Sequence, residues 1–233
     1  MSELFQVSMP AALVAGALDG VISVEELLRH GNFGLGTFER LDGEMAIVDG
    51  RAFQAKSDGS VREIDGDMLC AFACICRFSA HSEKHVTTVT SIGDLESRFA
   101  ELRTTQNAFY AFRADGEFAY LRLRAVCRTQ GGGLLQAASA QKEFDCANLS
   151  GTIIGIWTPP YAEALNVPDF HLHFLSANHM HAGHVLLLQA SSLQLQAQRL
   201  NELRLRLSEA PVLADADLRV SPEQILRVES RPK

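Results

Sequence analysis

Three Asp-Gly pairs, at 42–43, 49–50 and 58–59, fall between short apolar runs and constrain the fold of the early chain most tightly. Asp-Gly in that setting favours hairpin turns whose central residues need positive φ. The stretch from Thr37 to Val61 therefore reads as an antiparallel meander. Along it Glu44, Ala46 and Val48 share one face, and Met45 and Ile47 share the other. Further strands are expected over Met68 to Phe78, over Ala108–Phe112 and Glu117–Val126 on either side of Ala114-Asp115-Gly116, and over Gly151–Trp157. Leu193, Leu195 and Ala197 alternate with glutamines, as do Leu203, Leu205 and Leu207 with polar neighbours, a two-residue period that also means strand. Helices are few. Ser23 with Glu26 opens one that stops near Gly31, Ser91 with Asp94 opens a second, and Ser221-Pro222 with Gln224 opens a last one. The expected class is α+β, with strand-rich mixed or antiparallel sheets and a few short helices. A soft boundary near residue 130, at the Gly131–Gly133 run, divides 1–130 from 131–233, with one continuous unit as the alternative.

The chain has 233 residues, 47% hydrophobic and 21% charged, with a formal charge of -7. Its basic residues are interleaved with acids, so no stripe is available to follow a phosphate backbone, and nucleic acid is not an expected partner. The apolar stretch Met9 to Leu18 has no basic segment before it and is interrupted by Asp19-Gly20, unlike a secretory signal. No run approaches the roughly twenty apolar residues of a membrane span. The expectation is a soluble cytoplasmic protein. Five cysteines are an odd number without a paired framework. Cys74 and Cys76 could in principle offer two thiolates from one face, but buried, reduced thiols suit that apolar run better. Gly34-Leu35-Gly36-Thr37-Phe38 is too short for a phosphate-binding glycine loop and reads as a tight bend.

His171-Leu172-His173 lies in an apolar run, and residues two apart in a strand point the same way. A short hairpin can bring His184 on the next strand level with them. Three neutral imidazoles suit a borderline-soft divalent ion, zinc above all, and three protein ligands leave a position open for chemistry. His179 and His181 sit in the intervening loop, where they could approach substrate, support a ligand, or be solvated. By pattern alone, Glu44, Arg122, Arg124 and Glu229 read as ordinary surface charges.

The order of segments resembles the alpha-acetolactate decarboxylase family. The shared blocks are VISVEELLRHGNFGLGTFERLDGE, NAFYAFRADGEFAYLRLRAV, GTIIGIWTPPY leading to NVPDFHLHFLS, AGHV, and the terminal DL…ILRVES. The resemblance implies a Zn2+ enzyme that converts (S)-2-acetolactate to (R)-acetoin and carbon dioxide, the metal stabilising an enediolate, in a protein that pairs as a homodimer. It places the zinc ligands on His171, His173 and His184, and further active-site groups on Glu44, Arg124 and Glu229, with Thr37 as an added pocket contact. Glu44 and Arg124 would come from the first half and the metal ligands from the second. One departure touches the loop: the family usually has two glycines before the third histidine, and this chain has Ala182-Gly183. Set beside this reading are a metal-dependent hydrolase or dioxygenase, and a non-catalytic metal-stabilised binding protein using His179 or His181 as a fourth ligand.

Overall fold

A computed structural model describes residues 2–64, 66–129, 131, 133–219 and 225. The chain runs β1 (Glu3–Val7), α1 (Pro10–Val14), β2 (Ile22–Ser23), α2 (Val24–Leu28), β3 (Phe33–Phe38), β4 (Glu44–Val48), β5 (Arg51–Ala55), β6 (Val61–Glu63), β7 (Leu69–Cys76) and β8 (Ser82–Val89). It continues through α3 (Ile92–Glu101), β9 (Phe109–Ala125), α4 (Leu134–Ser139), β10 (Lys142–Thr158), β11 (Asp169–Ser176), β12 (Ala182–Leu200) and β13 (Glu202–Arg206). One sheet has the order β13-β1-β7-β3-β4-β5-β6, with β2 also on β7. The other has the order β11-β10-β9-β12-β8, and β11 pairs with β12 as well as with β10. The α+β class expected from periodicity is the one observed. Among the described residues no helix is long and apolar enough to cross a membrane.

Strand parity sorts the core into layers. Leu35, Ala46, Phe72 and Cys74 of the first sheet join Ala111, Ile154, Ile156 and Leu175 of the second in one buried cluster, which is the seam between the sheets. Alternate residues of the same strands face away. Met45, Ile47, Ala73 and Ile75 pack with Val24 and Leu27 of α2. Leu121, Leu123, Leu172, Phe174 and Val185 pack with Leu95 and Phe99 of α3. Each fully buried side chain of this size contributes roughly 1.5–3 kcal/mol, so both outer helices are held by their apolar faces.

The meander forms with turns of different kinds. Asp49 (φ 52) and Gly50 (φ 79) are the two positive-φ residues of a hairpin closed by the Val48–Arg51 pair. Asp42-Gly43 instead ends a longer connection from β3, in which Arg40 and Leu41 also take positive φ. Ser91 Oγ accepts from the Asp94 backbone at 3.1 Å, while the Asp94 carboxylate accepts from Thr90 N–H at 3.1 Å. The second cap bond thus closes one residue earlier than a capping box requires. Burial pushes the Cys70, Cys74 and Cys76 thiols up to about 12, so they stay protonated core groups.

Several expectations are corrected. Gly34 and Gly36 do not make a bend; they lie within β3, where an added Cβ would come within 2.2 Å of Cys74 O and of Phe72 O respectively. These glycines let β7 approach. Ala114-Asp115-Gly116 is not a turn, because β9 runs straight through it between β10 and β12. From Lys142 the polar segment before Asn148 forms the first half of β10, a largely exposed strand. The helix at Ser23 is preceded by β1 and α1, and β8 forms an edge that the sequence reading leaves out. The last expected helix, from Ser221, and Glu229 lie outside the described residues.

Candidate metal centre

The described side chains that the resemblance names for the site sit on inward-facing strand positions. In β11, His171 and His173 pair with Ile156 and Ile154 of β10, both seam residues, while Leu172 between them faces α3. In β12, His184 precedes the outward Val185; in β9, Arg124 follows the outward Leu123. His184 is directly opposite both His173 on β11 and Arg124 on β9. Glu44, at the start of β4, shares the inward parity of Ala46, and Thr37 that of Leu35; these two are themselves a cross-strand pair. The five-stranded sheet therefore supplies three imidazoles and the guanidinium, and the larger sheet supplies a carboxylate and a hydroxyl from the facing side.

One nitrogen from each of His171, His173 and His184 lies within 4.8 Å of the others, and all three residues are buried. His173 Nδ1 is 2.8 Å from the Met45 carbonyl oxygen. A carbonyl only accepts, so Nδ1 carries the proton and Nε2 of the neutral ring keeps its lone pair. That Nε2 lies 3.2 Å from His171 Nε2 and 3.6 Å from Glu44 Oε2. Two nitrogens about 2.0–2.1 Å from a tetrahedral ion would be roughly 3.4 Å apart. The donor set and its spacing fit a zinc-type site, and the carbonyl supplies the outer hydrogen bond that fixes a ligand histidine's tautomer.

A cavity of about 30 Å³ opens beside His171, with Thr37, Glu44, Arg124 and His171 among its polar lining and Leu13, Phe72 and Leu134 among its apolar walls. Arg124 is only 2% exposed and Glu44 only 6%, so both charges act where water screens little. Arg124 Nη1 donates to Gln141 Oε1 at 2.7 Å, and Thr37 Oγ1 donates to Gly43 O at 2.7 Å. Arg122 goes elsewhere: it pairs with Asp145 on the solvent side at 2.9 Å. His179 takes φ 57 and packs its ring on Phe53, and the exposed His181 lies 3.7 Å from Cys146 Sγ. Neither joins the three-histidine cluster.

The two-glycine departure resolves in backbone terms. Gly183 has φ 155, and an added Cβ would sit 2.6 Å from Arg124 O. Ala182 is not among the positive-φ positions. The retained glycine is therefore the one whose backbone lies against β9. Sequence reasoning missed Met45, which acts through its carbonyl, and Gln141, whose partner lies on another element. It also missed the cavity walls from α1 and α4. No local signal marks any of them.

Such a fold and site define a two-sheet α+β protein with a buried three-imidazole cluster, able to coordinate a metal ion, beside a small, charged cavity. Residues 4–220 match the alpha-acetolactate decarboxylase family, and the chain belongs to it. The chain is 40% identical over 186 residues to an alpha-acetolactate decarboxylase of Methanosarcina mazei, covering 78% of this chain but only 64% of that protein. It is 34% identical over 233 residues to one of Brevibacillus brevis, covering 99% of this chain and 82% of the relative. The crystal structure of alpha-acetolactate decarboxylase from Bacillus subtilis strain 168 superposes with a TM-score of 0.92 at 27% identity, covering 99% of this chain and 100% of that one.

Proposed function

We propose that this chain decarboxylates 2-acetolactate to acetoin, using a zinc ion held by His171, His173 and His184. The observation that carries the reading is the convergence of three buried imidazole nitrogens beside Glu44 and Arg124 at one small cavity. Family membership supports the decarboxylation chemistry, and the donor set supports the metal. A zinc ion bound there would supply Lewis acidity toward the negative charge that builds as the carboxylate leaves and an enediolate forms.

The chain's own residues then have distinct tasks. Arg124 presents a rigid fork of donors that binds and orients the substrate carboxylate so that the breaking bond is held in one direction. Glu44, 3.6 Å from His173 Nε2, is placed to accept a hydrogen bond from the substrate hydroxyl and to handle the proton that the product carbon needs. Glu229 is proposed as the second carboxylate of the site. Proton delivery from one fixed side would yield a single enantiomer, here (R)-acetoin from the (S)-substrate. The apolar walls lower the polarity around the buried charges of Glu44 and Arg124, which strengthens their interactions with substrate.

The test is to incubate zinc-loaded protein with 2-acetolactate and follow carbon dioxide and acetoin, beside a chelator-treated sample. Both products should form far faster in the loaded sample. Equal formation at the spontaneous rate in the two samples would reject the proposal.

A further inference from the structure

Arg124 is gripped from outside its own strand. Its Nη1 donates to Gln141 Oε1 at 2.7 Å, and Gln141 Nε2 donates to Glu143 Oε1 at 3.4 Å. Glu143 stands directly opposite Arg124 in the β9–β10 ladder. The two bonds together orient the amide, oxygen toward the guanidinium and nitrogen toward the carboxylate. Gln141 is itself tied to α4, because its backbone N–H donates to Ala138 O at 3.3 Å. At the other end of α4, Leu134 forms part of the cavity wall, and a Cβ on Gly133 would lie 2.2 Å from Val14 O of α1. α1 lines the same cavity with Pro10 and Leu13. One short helix thus carries a wall residue at its start and the grip on the guanidinium just past its end.

We propose that Gln141 is a positioning residue, which aims the Arg124 guanidinium into the cavity without adding a negative charge to it. An amide oxygen can accept and orient an N–H as a carboxylate does, yet it is neutral. A glutamate at this place would form a charge-assisted pair with Arg124 and compete with an incoming carboxylate for the same donors. Glutamine is the side chain that orients an anion-binding arginine while sparing its charge. Only the name of the anion, the 2-acetolactate carboxylate, rests on the decarboxylase reading.

The test uses the full-length, zinc-loaded protein with Gln141→Ala and Gln141→Glu. Side-chain ¹⁵N spectra of arginine-labelled protein, with the Arg124 signal assigned by its loss in Arg124→Lys, report guanidinium order without any substrate. In Gln141→Ala the Arg124 signal should shift and its Nη rotation accelerate, with kcat/KM for 2-acetolactate down about tenfold and zinc content unchanged. In Gln141→Glu the guanidinium should stay ordered while KM rises at least tenfold, roughly the loss of one charge-assisted contact. A Gln141→Ala spectrum like that of the parent overturns the assignment. So does a Gln141→Glu variant whose KM stays within twofold. Failure of the parent protein to turn over 2-acetolactate would instead sink the decarboxylase reading, and the Arg124 spectrum would still decide what Gln141 does.

Discussion

Arg124 and Glu44 are the residues at which chemistry and stability pull in opposite directions. Burying a charge costs free energy unless other groups replace its water, yet the chain keeps both within the sheet seam, 2% and 6% exposed. Such a cost is typical of sites where charge is held ready for a reaction. Arg124→Lys preserves the charge but loses the planar fork and the reach to Gln141. Steady-state kinetics on that variant should show kcat/KM falling roughly 10²-fold, the scale for losing one oriented donor at a developing anion. Zinc content, read by metal analysis, should not change, because His171, His173 and His184 are untouched. Turnover equal to the parent would mean that another group binds the carboxylate.

At the scale of elements, the site depends on how closely β12 lies against β9. Gly183→Ala would place a Cβ 2.6 Å from Arg124 O, one residue before His184. Either β12 lifts off β9 or the backbone strains, at a cost of about 1–3 kcal/mol. Since His184 is carried by the shifted segment, zinc affinity measured by chelator competition should drop about tenfold, whereas Ala182→Gly should leave it within twofold. Equal affinities for the two variants would show that the strand absorbs the methyl group without moving the ligand. The same elements show what is legible locally. Ser91 and Asp94 announce α3 because a cap is a contact three residues long. The His171–His173 parity is readable because a strand alternates by necessity. Asp115-Gly116 misleads, because the dipeptide that makes a turn at Asp49-Gly50 here allows Ser192 O to approach a position where a Cβ would lie 2.0 Å away. β1 is invisible locally: it is short, buried on both faces, and defined by parallel pairing with β13 at the far end of the chain. Glu44 and Arg124 could be placed in the site by resemblance, but no periodicity says that two sheets will bring them together.

For the molecule as a whole, the three histidines belong to one sheet, but His173 reaches across the seam through its Nδ1 hydrogen bond to Met45 O. A metal ion held by His173 would therefore link its own binding to the packing of the two sheets through one imidazole. An ion that binds only the folded chain stabilises it by mass action, about 2.7 kcal/mol when free zinc is a hundred times its dissociation constant. For a chain of this length each kcal/mol is worth roughly 2–4 °C. Calorimetric melts should thus rise by about 5–10 °C between chelated and zinc-loaded protein. His173→Ala should abolish that rise. It should also melt lower than the chelated parent by roughly 2–4 kcal/mol, since it removes a fully buried ring and leaves the Met45 carbonyl without its donor. His179→Ala, in the exposed loop away from the cluster, should keep the whole zinc-dependent rise. An undiminished rise in His173→Ala would place the ion elsewhere, and with it the chemistry assigned to this seam.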